Sequence, residues 1–294
     1  MHHFTIRDVE NLSGIKAHTL RMWEQRYGLC VCQRKVSLHR YYDSEDLKHI
    51  LRIAYLYHHG HKISRIAGFS TEEIIQMASQ KYKNDEYQVM VNQLLEAGLD
   101  YDQERFENAF NNAIRTMGLE KSMELVAYPF LDKIGLLWMT GHMQPAQEHF
   151  CSHIIQKTII AAINALPEAT TDLHRILLFT PEGENHELPL LFIQYLIKKK
   201  GIKTLLLGKN ISLDIVAQYC AHQPVSHLYF HLITNFTHCE PGQYLRKLSA
   251  RFAAKQIIAS GPALKGIDEL PPNITIVHSL KDLMAIEKFI APHP

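Results

Sequence analysis

The 294-residue chain has no apolar run of the ~18–20 residues that a bilayer-spanning helix requires, so no membrane span is expected. Its start, Met1-His2-His3-Phe4-Thr5-Ile6-Arg7, has no apolar signal core, and the expected compartment is the cytoplasm. Cysteines are few and odd in number (Cys30, Cys32, Cys151, Cys220 and Cys239), which argues against a disulfide framework. Cys30 and Cys32 are separated by a single residue, not by a zinc-knuckle spacing, and no second pair follows. An excess of one charge is missing too: 31 Lys and Arg face 30 Asp and Glu, so any attraction for nucleic acid has to be local.

That charge is unevenly placed. Residues 1–70 hold eleven Lys and Arg against six Asp and Glu, a net of +5 that leaves −4 for the rest. A basic head on a mildly acidic body fits nucleic-acid contact by the head alone. With 46% hydrophobic and 21% charged residues the composition is that of a globular chain, and its length suits two or three domains.

Residues 4–15 carry apolar side chains at helical spacing up to a tight turn at Ser13-Gly14, and a second helix is predicted from about 16 to 25. Two short helices joined by a Gly-containing turn are the helix-turn-helix signature. The second would lie in a DNA major groove, offering His18, Thr19 and Arg21. Gly28, after Arg26 and Tyr27, suits a helix end. The stretch 34–42, with Arg34, Lys35, His39, Arg40 and Tyr42, reads as a two-stranded wing rich in phosphate-binding groups. Asp43 to Asp46 caps a further helix that runs through Ile50, Ile53, Leu56 and Tyr57.

The order Ile6-Arg7-x-Val9-x-x-Leu12-Ser13-Gly14-Ile15-x-x-x-Thr19-Leu20-Arg21-x-Trp23-Glu24-x-Arg26-Tyr27-Gly28-Leu29, with the later His39-Arg40-x-Tyr42-x-x-x-Asp46-Leu47, closely resembles the MerR family over residues 4–75. The resemblance implies a winged helix-turn-helix domain (1–78) that binds double-stranded DNA at a pseudo-palindromic promoter site. It also implies a homo-oligomer, dimer or tetramer, because half-site spacing matches a two-fold protein. DNA contacts are then expected from His18, Thr19, Arg21, Arg26, Tyr27, Arg34, Lys35, His39, Arg40 and Tyr42. The chain departs from many relatives at Val31-Cys32-Gln33, where they have a Pro, and at Ser37-Leu38, where they have Gly or Asn at the wing tip.

The polar stretch 81–86 is the expected linker. Beyond it the apolar period is helical, with helices predicted over 86–98, 102–116, 119–140 and 144–165; short joints between them suggest a four-helix bundle spanning 85–167. Here Trp138 is followed, after nine residues, by Glu148-His149. Taken singly, these would be a core tryptophan and a solvated helix start. Further on, strands are predicted at 175–180, 203–208, 227–233, 256–260 and 275–278, alternating with helices at 188–200, 213–222 and 242–255. That alternation implies a Rossmann-like, doubly wound parallel sheet over 173–294, whose ligand would sit at the carboxyl ends of the strands near the switch point. The loop after the first strand carries Glu184 and His186, and such a histidine could offer one ring nitrogen to a metal while a carboxylate orients the other.

Trp138 with Glu148-His149, and Pro181-Glu182-Gly183-Glu184-Asn185-His186 further on, resemble the two halves of the cobalamin-binding module of methionine synthase and of the CarH/LitR type of light-responsive repressor. The resemblance implies a helical cap in which Trp138, Met139, Glu148 and His149 border the upper face of the corrin. It implies that Glu184 and His186 belong to a motif Asp/Glu-x-His-x-x-Gly, His186 being the axial cobalt ligand, and that His231 and Gly261 stand where the cofactor's tail is lined. Four departures accompany it. Met139 stands where some light sensors have His, and Pro189 replaces the motif glycine. His231 is bulky where a small hydroxyl residue is usual, and in Ser260-Gly261-Pro262 only Gly261 matches a Gly-Gly turn.

The leading expectation is a multidomain α then α/β protein: a transcriptional regulator, acting as a repressor, whose oligomeric state and DNA affinity are controlled by cobalamin held between cap and sheet domain. Adenosylcobalamin would make it a photoreceptor. The alternative is a cobalamin-independent MerR regulator whose pocket holds haem or a bilin, or answers to a protein antagonist. Nothing resembles a mutase barrel or substrate domain, so no catalytic residue is expected.

Overall fold

Thr5 and Asp8 cap the first helix of the computed structural model reciprocally, each side chain taking the other's backbone N–H, and Gly14 ends that helix at φ 72°. The structure describes residues 4–34, 40–78, 86–139, 143–168, 175–234, 240–267 and 269–290. It divides into two compact units, Met1–Ile154 and Ile155–Pro294. In the first, α1 (Ile6–Ser13) and α2 (Ala17–Tyr27) form the helix-turn-helix. Glu10 joins them, accepting from Ala17 N at 3.0 Å and Lys16 Nζ at 2.9 Å. Gly28, at φ 63°, closes α2. A short antiparallel ribbon, β1 (Gln33–Arg34) with β2 (Arg40–Tyr41), follows as the wing. Asp43 and Asp46 then cap α3 (Ser44–His58) with a second reciprocal box. Trp23 of α2 is buried with its ring edge on Tyr57 of α3, centroids 4.8 Å apart. Two small helices, α4 (Ile63–Ile66) and α5 (Thr71–Ala78), complete the head.

The bundle comprises α6 (Glu86–Leu99), α7 (Gln103–Met117), α8 (Leu119–Ser122), α9 (Tyr128–Met139) and α10 (Pro145–Ala165). The helix expected as continuous over 119–140 is interrupted by a π turn at Met123–Ala127, where Tyr128 N–H reaches back to Met123 O. Pro129 explains the break: it has no N–H for Leu125 O, and its ring crowds that carbonyl. Phe106, Phe110, Val126, Phe130 and Ile134 are fully buried between the helices. Gly98 lets α6 and α10 touch, since a Cβ there would lie 2.6 Å from Cys151 Sγ.

Buried charge ties head to bundle inside this unit. Lys48 of α3 bonds both carboxylate oxygens of Asp100 at 2.8 and 3.0 Å. Arg52 grips Glu96 of α6 with Nε at 3.0 Å and Nη2 at 2.6 Å, and Arg105 adds a third bond at 2.6 Å. Neither end of this network is visible in a hydrophobic period, because the partners lie 44 and 52 positions apart.

In the second unit the chain alternates β3 (Arg175–Pro181), α11 (Leu188–Lys199), β4 (Lys203–Ile211), α12 (Leu213–His222), β5 (His227–His231), α13 (Pro241–Arg251), β6 (Gln256–Ser260) and β7 (Ile274–Val277), ending in α14 (Leu280–Met284) and α15 (Glu287–Ile290). The sheet is wholly parallel in the order β4-β3-β5-β6-β7, the doubly wound arrangement expected. Leu177, Phe179, Leu228, Phe230, Ile257 and Ala259 share one sheet face in a core with Val216 of α12 and Tyr244, Leu245 and Leu248 of α13. β5 stops at His231, two residues short of the expected 233, because Ile233 and Thr234 turn their N–H groups away from the ladder onto Glu184. Among the described residues no helix is long and apolar enough to cross a membrane.

Candidate functional site

The chain leaves β3 for β4 on one side and crosses back from β4 to β5 on the other, so the carboxyl ends of β3 and β5 form the switch point. The loop after β3 is pinned there from several directions. Thr180 Oγ1 donates to Glu184 O at 2.6 Å and accepts from Asn210 N at 2.9 Å, while Asn210 Oδ1 takes Gly183 N–H at 2.7 Å. Glu184 is fully buried. Its Oε2 accepts from Ile233 N and Thr234 N, both at 2.8 Å, and from Thr234 Oγ1 at 3.1 Å. Its Oε1 accepts from His186 N at 2.9 Å and contacts His186 Nδ1 at 2.5 Å. Burial alone would raise this carboxyl's pKa, but the His186 side-chain bond and the backbone bonds outweigh it and hold the pKa at about 2. Glu184 is therefore an anion that fixes its neighbour: His186 donates Nδ1–H to it, which puts the ring's lone pair on Nε2. The His186 side chain is 49% exposed, so the ring stands at the rim of the sheet rather than within it.

The next strand ends beside this pair. His231 is buried at the tip of β5, its Nδ1 2.7 Å from Ser260 Oγ at the tip of β6, and the same oxygen meets Tyr229 OH in a short hydrogen bond. Burial drives the His231 pKa down to about 4, the Glu184 charge opposing and the His186 charge adding to the shift, so the ring is neutral at physiological pH. Tyr229 is pushed up by its own burial. A donor order Tyr229 to Ser260 to His231 gives each of these two bonds one donor and one acceptor. Gly261 follows at φ 120°, where a Cβ would lie 2.1 Å from Leu232 O, so only glycine fits. Pro189 sits in the first turn of α11, where its missing N–H costs no helix bond.

The predicted pair Glu184–His186 thus meets at hydrogen-bond distance, with His231 and Gly261 at the neighbouring strand ends. Thr180, Asn210, Thr234, Tyr229 and Ser260 were not singled out in the sequence. Thr234 reaches Glu184 from 50 positions away, and only the expectation of a hydroxyl residue near the third strand pointed its way. In the cap, Trp138 and Met139 end α9, and their side chains lie outside the described set; so do residues 140–142. Glu148 and His149 share the first turn of α10, with His149 Nδ1 2.7 Å from Glu148 Oε2 and its side chain 76% exposed. Gln147 beside them is buried and donates to Leu99 O at 3.1 Å.

On the head, α2 buries Leu20 and Trp23 and leaves His18, Arg21 and Arg26 exposed, with Thr19 and Tyr27 half-buried. Arg34 and Arg40 lie in the wing strands, their side chains outside the described set, as are Lys35 and His39 altogether. Tyr42 corrects the expectation: its ring is in the core, 1% exposed, and its backbone pairs with Phe4 through N–H···O bonds of 2.7 and 2.9 Å. It anchors the wing to the start of α1 instead of presenting a surface for phosphate.

A corrinoid cobalt can take an axial nitrogen from the protein, and the Glu184–His186 pair would offer one from a ring held in a set tautomer. The tips of β5 and β6 fit a cobalamin tail poorly, being filled by the Tyr229–Ser260–His231 chain.

Residues 4–80 match the family described as MerR HTH family regulatory protein, and residues 90–162 match the B12 binding domain. The chain is 26% identical over 216 residues to the HTH-type transcriptional repressor CarH of Myxococcus xanthus, covering 71% of each chain. It is 27% identical over 212 residues to the repressor CarA of the same organism, covering 70% of this chain and 68% of that one. Among solved structures it is similar to the Methanosarcina barkeri monomethylamine corrinoid protein (TM-score 0.55, 10% identity, 68% of this chain and 97% of that one), a likeness of fold. The chain thus joins a region that matches the MerR HTH family regulatory proteins to one that matches the B12 binding domain, and is similar to the repressors CarH and CarA over about 70% of its length.

Proposed function

We propose that this regulator is a repressor that binds a pseudo-palindromic promoter site as a homo-oligomer, and that cobalamin in its light-sensitive adenosyl form sets its oligomeric state and DNA affinity. Three segments divide the work: a DNA-binding head (1–78), a helical cap (85–167) and a sheet domain (173–294). His18, Thr19 and Arg21 read base edges, while Arg26, Tyr27, Arg34, Lys35, His39 and Arg40 take phosphates. In the sheet domain His186 Nε2 is the lower cobalt ligand, and Glu184 holds the ring in place through Nδ1. Trp138, Met139, Glu148 and His149 are the cap residues assigned to the same cofactor, with His231 and Gly261 at its lower rim. When bound, the cofactor supplies a cobalt–carbon bond that light can break. The chain's own groups bind and orient; no turnover is assigned to them.

The observation that carries this reading is the buried Glu184 carboxylate gripping His186 at the switch point. Mixing the purified protein with adenosylcobalamin in the dark and desalting tests it. The wild type is expected to keep a corrin absorption band and His186→Ala to lose it; equal retention by both overturns the ligand role.

The crowded tips of β5 and β6 favour a second reading, in which the regulator works without cobalamin and its pocket takes haem or a bilin, or answers to a protein antagonist. Pigment extracted from freshly purified protein separates the two: a haem or bilin spectrum supports the second reading, a corrin spectrum the first.

A further inference from the structure

Cobalamin brings its own lower ligand, a benzimidazole on a nucleotide arm. If His186 takes the lower position of cobalt, that arm is displaced and must go elsewhere. On the β5 side of the switch point, the tips of β5 and β6 are closed. Tyr229 is fully buried, Ser260 is 1% exposed and His231 is 8% exposed. The Ser260 hydroxyl is engaged by both Tyr229 OH and His231 Nδ1. Next to them Gly261 leaves no gap, since even one added carbon would meet Leu232 O at 2.1 Å. Leu232 and Ser260 are tied across the strand tips by an N–H···O bond of 2.9 Å. Seating an aromatic base here would break buried hydrogen bonds and displace two large side chains, with no new polar partner in return.

We propose that the Tyr229–Ser260–His231 chain makes this domain a binder of corrinoids whose lower arm stays outside the protein, so that it accepts cobinamides, which lack the nucleotide, as well as complete cobalamin. The proposal rests on the cobalamin reading above and names the class of corrinoid that its site selects. His231 is the specificity-determining residue in it: buried at the tip of β5, it bonds Ser260 at the tip of β6 across 2.7 Å.

The test is a titration of the full-length protein with diaquacobinamide and, separately, with aquacobalamin, followed by visible absorption. Cobinamide carries no internal base, so nitrogen ligation by the protein shifts its spectrum directly. The expected result is a pair of dissociation constants within about threefold, with the cobinamide shift absent in His186→Ala. Cobalamin binding tenfold or more tighter than cobinamide overturns the proposal, because the buried arm would then be contributing. The variants His231→Ser and Tyr229→Val extend the test: each is expected to move the preference toward cobalamin, and a ratio unchanged in both, with folding intact by circular dichroism, also overturns it. If neither corrinoid shifts in the wild-type protein, the cobalamin reading itself fails, an outcome distinct from a strong preference for cobalamin.

Discussion

Replacing Glu184 by Gln tests the tautomer argument at the centre of the site. The carboxylate accepts five hydrogen bonds, three through Oε2 from Ile233 and Thr234 and two through Oε1 from His186. An amide of the same shape must aim its NH2 at one of those groups of donors. Facing Ile233 and Thr234, it would oppose two backbone N–H groups. Facing His186 costs less: one backbone N–H loses its acceptor, and the ring can flip tautomer to accept at Nδ1. Losing a charge-assisted buried bond is worth about 1.5–3 kcal/mol, so Glu184→Gln is expected to lower stability by ~2 kcal/mol in urea unfolding. The flipped tautomer carries its proton on Nε2, the nitrogen assigned to cobalt. Corrinoid affinity is therefore expected to fall 10–100-fold, the range found when a carboxylate behind a metal-binding histidine is removed. Stability and corrinoid affinity both unchanged in Glu184→Gln would refute the reasoning.

Three further predictions concern the first unit. Glu96→Ala leaves the guanidinium of Arg52, whose side chain is 16% exposed, without its carboxylate, and is expected to cost about 3 kcal/mol by urea unfolding; Arg105, 42% exposed, adds little. Gly98→Ala drives a methyl toward Cys151 Sγ and is expected to cost ~1–3 kcal/mol, with much of the loss restored in a Cys151→Ala background; no restoration would mean the sulfur contact is not the cause. Lys133 in α9 is half-buried, and burial lowers its pKa to about 8 from the ordinary 10.5. Between those values the unfolded chain binds more protons, so stability relative to Lys133→Met is expected to rise from pH 8 to 10, and the variant is expected to be about 3 kcal/mol more stable at pH 7. A pH-independent difference between the two proteins would contradict this.

Much of the architecture was legible because it is written in local signals. The box at Asp43–Asp46 and the glycines Gly14 and Gly28 mark helix ends in the sequence itself. Short apolar runs located the strands, and a period-3.6 apolar pattern the bundle, to within a few residues. What escaped was set by contacts between distant positions. Thr234, Ser260 and Tyr229 matter only because parallel strands bring their tips together, and Glu96 and Asp100 meet Arg52 and Lys48 only once head and bundle pack. Tyr42 looked like a surface residue among basic neighbours, and only its pairing with Phe4 shows that the strand turns it inward. The π turn was masked by an otherwise regular apolar period, although Pro129 was there to signal it.

The most direct test of the account is the affinity of the full-length protein for its promoter DNA, measured by fluorescence anisotropy in the dark with and without adenosylcobalamin, then again after green light. The account predicts DNA binding tightened at least tenfold by the cofactor in the dark, lost on illumination, and insensitive to both in His186→Ala. The same DNA affinity in all three conditions, in wild-type protein that visibly retains the corrin band, would contradict it.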